Sequence, residues 1–181
     1  MKEIEASGLY IIKDEYFADF PNTKYMDNKG ESRPHYYAIQ DNNGLFWMIP
    51  LSSKVEKFRA KIADVEAKAG AGNCFLFAVA PVAGRDRAFV ISEMFPVTEE
   101  YILRPYTVNG KPLVIQNLGI QKTIRTKALR FLKMVNRGYV KSPLNVMEIK
   151  ANVHIGFSQQ PPKQQQRVLV WQRAGRGSVC G

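Results

Sequence analysis

Apolar residues in this chain gather into short aromatic and branched runs early on and into two helical stripes further along, with turn formers between them. Gly8 to Ile12 reads as a first short strand, and residues 14–20 as a helical turn before Pro21. Residues 21–34 (PNTKYMDNKGESRP) hold turn formers and few apolar side chains, which predicts a long loop of the kind that often carries function. Residues 35–40 (HYYAIQ) and 45–50 (LFWMIP) then read as antiparallel strands joined by a hairpin turn at Asp41-Asn42-Asn43-Gly44. A third and a fourth strand are predicted at 73–80 and 87–94, linked by a Pro- and Gly-containing turn at 81–86. Within 107–115 an Asn-Gly pair marks a small hairpin.

Two segments follow the helical period instead. Between Lys54 and Ala69 the apolar residues Val55, Phe58, Ile62, Val65 and Ala69 share one face. Between Leu118 and Tyr139 the stripe is Ile120, Ile124, Ala128, Phe131 and Val135. At ~100° per residue, Lys122, Arg130, Lys133 and Arg137 fall opposite it, flanked by Arg125 and Lys127. Ser142-Pro143 starts a short last helix through Met147. Strands with helices inserted predict an α+β domain whose twisted antiparallel sheet closes into a small barrel flanked by helices. One domain is expected over 1–156; residues 157–181, rich in Gln, Pro and Gly, read as a flexible tail. Nothing in that tail complements the preceding pattern, so whether it is native is open.

Composition narrows the class of partner. At 45% hydrophobic and 23% charged residues the chain has the makings of a packed core. No run approaches the ~18 apolar residues of a membrane span, and the first residues lack a signal-peptide layout, so a cytoplasmic protein is expected. Cys74 reads as a core residue, and with only Cys180 besides it no disulfide framework is available. The histidines, His35 and His154, show no zinc spacing, and no carboxylate cluster resembles a two-metal site; neither metal nor cofactor is expected. The formal charge is +10, and from Tyr101 to Met147 there is no Asp or Glu among nine Lys and Arg residues. Unrelieved like charge along one helix face favours a polyanion groove, so Lys122, Arg125, Arg130, Lys133 and Arg137 are candidate RNA-binding residues.

Candidate chemistry sits where the second hairpin strand enters the first helix. Ser53 and Glu56 fit a capping box, but a helix start also offers N–H groups to a phosphate, and Lys54 there opposes the helix dipole unless an anion is bound. Hairpin geometry brings Arg33 and His35 toward Ser52, Ser53 and Lys54. Attack of RNA by its own 2′-hydroxyl requires a base, an acid and fixed positive charge, and that set contains them. His35 is either the proton-transfer group or a strand-end histidine; Tyr36 is either a base-stacking platform or a half-buried strand aromatic.

Residues 33–58, RPHYYAIQDNNGLFWMIPLSSKVEKF, resemble the diagnostic segment of the ToxN/AbiQ-like endoribonuclease toxins of type III toxin–antitoxin systems, most of all the CptN branch. The likeness extends more weakly from about Leu9 to Ile155. It implies a MazF/Kid-like barrel and metal-independent cutting of A-rich RNA to a 2′,3′-cyclic phosphate. It also implies inhibition by a pseudoknot RNA antitoxin whose precursor the toxin trims, a cyclic toxin–RNA complex with two or more copies of each, and cellular mRNA as target. By position, the family's Pro-Leu-hydroxyl-Ser element falls on Ser52 and Ser53 and its lysine on Lys54. The better-known members carry a proline before that lysine, which leaves Lys57 as a second candidate, and His35 stands where they have a basic residue. The rival readings are a non-catalytic RNA-binding regulator and a peripheral membrane protein. The second is disfavoured because the apolar side of the basic helix is needed for the core.

Overall fold

A computed structural model describes residues 4–159, with side chains described through Val153. The expected tail beyond Gln159 and the side chain of His154 therefore lie outside the described residues. The chain runs β1 (Leu9–Ile12), α1 (Asp14–Asp19), β2 (Pro34–Gln40), β3 (Phe46–Ser52), α2 (Val55–Ala69), β4 (Ala78–Val82) and β5 (Arg85–Phe89). After a 3₁₀ turn (Ile91–Glu93) come β6 (Phe95–Val97), a second such turn, β7 (Ile102–Pro105) and the small hairpin β8 (Thr107–Val108) and β9 (Lys111–Pro112). Helices α3 (Leu118–Asn136) and α4 (Val146–Gln159) follow. Among the described residues no helix is long and apolar enough to cross a membrane.

The predicted hairpin forms for the predicted reason. The Asp41 carboxylate accepts from the Asn43 and Leu45 N–H groups at 2.9 and 3.2 Å, and Gly44 takes the left-handed φ of +79° that closes the turn. β3 is buried along its whole length, which is why it reads as a continuous apolar run and not as an alternating one. It pairs with β2 along one edge and divides the other between β6, at Phe46–Met48, and β5, at Leu51–Ser52. The fork matters for the site, because it sets the start of α2 beside the β4–β5 ribbon.

All pairings are antiparallel, and the fold is α+β. The expected closed barrel is not found. The ladder runs β4-β5-β3-β2-β1-β7, and among the described residues its two end strands are not paired with each other. With its outer edge forked, β3 lets the sheet fan out instead of returning on itself.

Three expected elements shift, each for a visible reason. Residues 73–77 do not join the sheet: the Lys127 ammonium from α3 takes the carbonyls of Cys74 and Phe77, and the Ser92 N–H takes that of Leu76 at 3.0 Å. The fourth strand starts and stops earlier than expected, its C-terminal part coiling into the 3₁₀ turn through Glu93 N–H to Val90 O at 3.0 Å. The last helix is longer than predicted and packs Val146, Ile149 and Val153 into the core, while Lys150 reaches Asp41 at 2.8 Å across the hairpin turn.

Helix α3 behaves as its stripe predicts. Ile124, Ala128 and Phe131 are buried, and the Asn117 side chain caps the first turn by accepting from Ile120 N–H at 3.0 Å. A second, smaller core joins α2 to the β4–β5 ribbon through Phe58, Phe77, Ala88 and Val90, with the free thiol of Cys74 buried among them as expected.

Candidate active site

A cleft of about 900 Å³ opens where the 26–34 loop, the end of β3, the start of α2 and the β4–β5 turn meet. Arg33, Ser52, Ser53, Lys54 and Lys57 all line it. Those five expected residues are thus brought together. Their charge is reinforced by Lys29, Lys61, Arg85 and Arg87, against two carboxylates, Asp27 and Glu93. A cleft with seven cations and two carboxylates is built for an anion.

Local chain geometry arranges the hydroxyls. α2 begins at Val55 with Lys54 as its N-cap and with no side-chain cap, so the predicted capping box does not form. The Lys54 N–H instead donates to Ser52 Oγ at 3.2 Å, and the Val55 N–H to the Ser53 carbonyl at 2.9 Å. Ser52 is 5% exposed, whereas Ser53 and Lys54 are open to the cleft. Lys54, Lys57 and Lys61 recur at helical spacing on one side of α2, a K-x-x-K-x-x-x-K pattern of which sequence reasoning marks only the first two members. The Lys61 ammonium lies 5.5 and 5.3 Å from the ring centres of Phe58 and Phe77, which restrains it.

Arg33 is 8% exposed. Its Nη1 donates to the Leu51 carbonyl at 2.8 Å and its Nε to that of Asp27, so it ties the loop to the strand that delivers the serines. Burial lowers its pKa while Asp27 and Glu93 oppose that shift, and an arginine starts so high that the guanidinium stays charged.

His35 pairs with Pro50 in the ladder as the hairpin requires, but the strand turns its side chain away. Pro34 lines the cleft and His35, the next residue, points to the opposite face, because side chains alternate along a strand. There it is 1% exposed, packed against Phe17 and Phe95 with ring centres at 6.3 and 5.3 Å. Burial, and then the nearby Arg33 charge, push its pKa down to about 3 against the weaker pull of the Arg33 and Tyr10 backbone, so at neutral pH it is an uncharged core residue. Tyr36 is likewise buried, edge-on to Phe89 with its hydroxyl donating to Ser7 Oγ at 3.1 Å, and presents no face to a base.

The candidate RNA-binding residues of α3 do not line the cleft. Lys122, Arg125, Lys133 and Arg137 are exposed and, among the described residues, form no ion pair. Arg130 sits 4.8 Å from the Phe75 ring centre, and Lys127 is spent on backbone carbonyls. Sequence reasoning missed Glu93, which lay inside an expected strand, and Tyr106, which no motif marks.

No protein-family model matches the chain, and no curated protein matches it in sequence. Among solved structures it is similar to AbiQ, a lactococcal anti-phage endoribonuclease belonging to the type-III toxin–antitoxin system. The TM-score is 0.61, with 15% identity over 86% of this chain and 100% of that one. It is also similar to a structure from a bacterial antiviral system regulated by a processed non-coding RNA. There the TM-score is 0.56, with 14% identity over 81% of this chain and 96% of the other. At these identities what the three share is the fold, and the likeness read from residues 33–58 is met at that level.

Proposed function

We propose that this chain is an endoribonuclease toxin of the type III toxin–antitoxin kind, cutting RNA by internal transesterification without a metal ion. The observation that carries the reading is the convergence of Ser52, Ser53, Lys54, Lys57 and Arg33 in one basic cleft, on a fold shared with an anti-phage endoribonuclease. In this account the 2′-oxygen attacks phosphorus, the bond to the 5′-oxygen breaks, and a 2′,3′-cyclic phosphate is left. Arg33 and Lys54 offset the charge that builds on the phosphorane, and Arg33, held by two backbone carbonyls, does so without reorganising. Ser52 and Ser53 orient the phosphate, and Lys57 protonates the leaving oxygen. His35, buried and neutral, holds the strand in place and exchanges no proton with substrate.

The exposed basic face of α3 supports a second part of the proposal, the grip on RNA. That RNA is an antitoxin of pseudoknot repeats, processed by the toxin and closing with it into a cyclic complex of two or more copies of each. The target is A-rich cellular mRNA, in the cytoplasm. The test is end-group analysis. Purified protein incubated with A-rich RNA in EDTA should yield 2′,3′-cyclic phosphate and 5′-hydroxyl ends. No cleavage under any condition would favour a non-catalytic RNA-binding regulator using the same α3 face, and cleavage that EDTA abolishes would remove the metal-free mechanism.

A further inference from the structure

The cleft is rich in cations and poor in groups that can take a proton. Attack by a 2′-hydroxyl requires an acceptor, and His35 faces the core. Two carboxylates line the cleft. Asp27 is exposed, and its Oδ1 already accepts from the Lys29 N–H at 2.8 Å. Glu93 differs: its Oε2 is shut off from water and, among the described residues, has no hydrogen-bond partner. Desolvating an acceptor without pairing it is unfavourable, and it makes the carboxylate as a whole readier to take a proton.

The backbone holds the turn that carries Glu93 against β3, and Glu93 lines the same cleft as Ser52 and Ser53. Its 3₁₀ turn follows directly on β5, whose Phe89 and Ala88 pair with Leu51 and Ser52. Val90 N–H donates to Pro50 O at 3.1 Å, and Ser92 N–H to Leu76 O at 3.0 Å. The first of these bonds ties the start of the turn to the strand that carries the serines, and the second ties the turn to the segment before β4. The charged groups that act on the carboxyl are Lys61 and Lys57 of α2 and Arg33 of the loop before β2. Burial raises its pKa above the ordinary 4.5 and those three cations lower it, with burial prevailing, so Glu93 is a stronger base than a solvated carboxylate.

Building on the nuclease reading above, we propose that Glu93 is the general base of the cleft. Its carboxylate, which lines the cleft, takes the proton of the 2′-hydroxyl as the 2′-oxygen bonds to phosphorus. The bond between phosphorus and the 5′-oxygen then breaks, and the Lys57 ammonium gives its proton to that leaving oxygen. Solvent afterwards carries one proton from Glu93 back to Lys57, which restores the site.

The alternative is that Glu93 only relieves repulsion among Arg33, Lys57 and Lys61, and the Glu93→Gln variant separates the two roles. Cleavage of an A-rich oligoribonucleotide would be followed against pH for wild type, Glu93→Gln and Glu93→Asp, with melting curves alongside. As base, Glu93→Gln lowers kcat by roughly 10²–10⁴-fold with KM near wild type, and it abolishes the acid limb of the wild-type profile. Glu93→Asp keeps the limb at a reduced rate, which guards against a folding defect in the amide variant. A substrate with sulfur in place of the leaving 5′-oxygen should rescue Lys57→Ala but not Glu93→Gln, because sulfur departs without an acid. Wild-type kcat and an intact acid limb in Glu93→Gln would overturn the assignment while leaving the nuclease reading standing. A wild-type protein that cuts no RNA would overturn both.

Discussion

The cleft at the end of β3 and the outer face of α3 are both strongly basic, yet the cleft pins two of its cations while four on α3 stand free of ion pairs among the described residues. In the cleft, Arg33 is bound to two backbone carbonyls and Lys61 lies over two phenylalanine rings. On α3, Lys122, Arg125, Lys133 and Arg137 stand in solvent with no ion pair among the described residues. Fixed charge can stabilise a transition state because nothing must reorganise when the substrate's charge develops. Solvated charge binds a polyanion by releasing counterions, and for that its number matters more than its geometry. On the proposed reading, the same residue types would do chemistry in one place and grip RNA in the other.

Removing the α3 charges together should separate the two regions most sharply. Alanine at 122, 125, 133 and 137 is expected to weaken RNA binding by orders of magnitude at low salt. The slope of log affinity against log salt should become shallower by about 0.7 for each phosphate that is no longer neutralised on a single strand. The cleavage rate of RNA already bound should hold. A filter-binding salt series combined with single-turnover kinetics reads both, and a collapse of the bound-state rate would mean that α3 belongs to the reacting centre.

A smaller effect tests the boundary between cleft and core. His35 has a folded pKa of about 3, below its ordinary 6.5, so the unfolded chain binds a proton in that window that the folded chain does not. The stability it contributes is complete above pH 6.5 and is lost as pH falls toward 3. Relative to His35→Leu, wild type should lose about 2 kcal/mol in urea denaturation between pH 7 and pH 5. Equal pH dependence of the two proteins would contradict the buried, neutral assignment and reopen a catalytic role for the imidazole.

What could be read from the sequence was whatever local chemistry decides. The Asp41–Gly44 turn, the Asn109-Gly110 hairpin and the stripe of α3 follow from turn residues and helical period alone, and the serine–lysine element marks the candidate site because it ends a strand and opens a helix. The orientation of His35 was not legible. β2 is covered on both faces, so its sequence does not alternate and gives no sign of which side chains face the cleft. Glu93 was hidden for a related reason. Residues 91–93 coil instead of continuing a strand, and the Ser92 N–H goes to Leu76 O, a partner distant in sequence. The capping box failed in the same fashion, since α2 starts one residue later than the Ser-x-x-Glu pattern proposes and frees Ser53 for the cleft.

Lys54 decides whether the cleft is where RNA is cut. Single-turnover cleavage of a saturating A-rich RNA by Lys54→Ala should fall by roughly 10²–10³-fold while affinity, carried by α3, stays near wild type. Unchanged cleavage in that variant, with the protein folded and RNA bound, would place the chemistry elsewhere on the molecule.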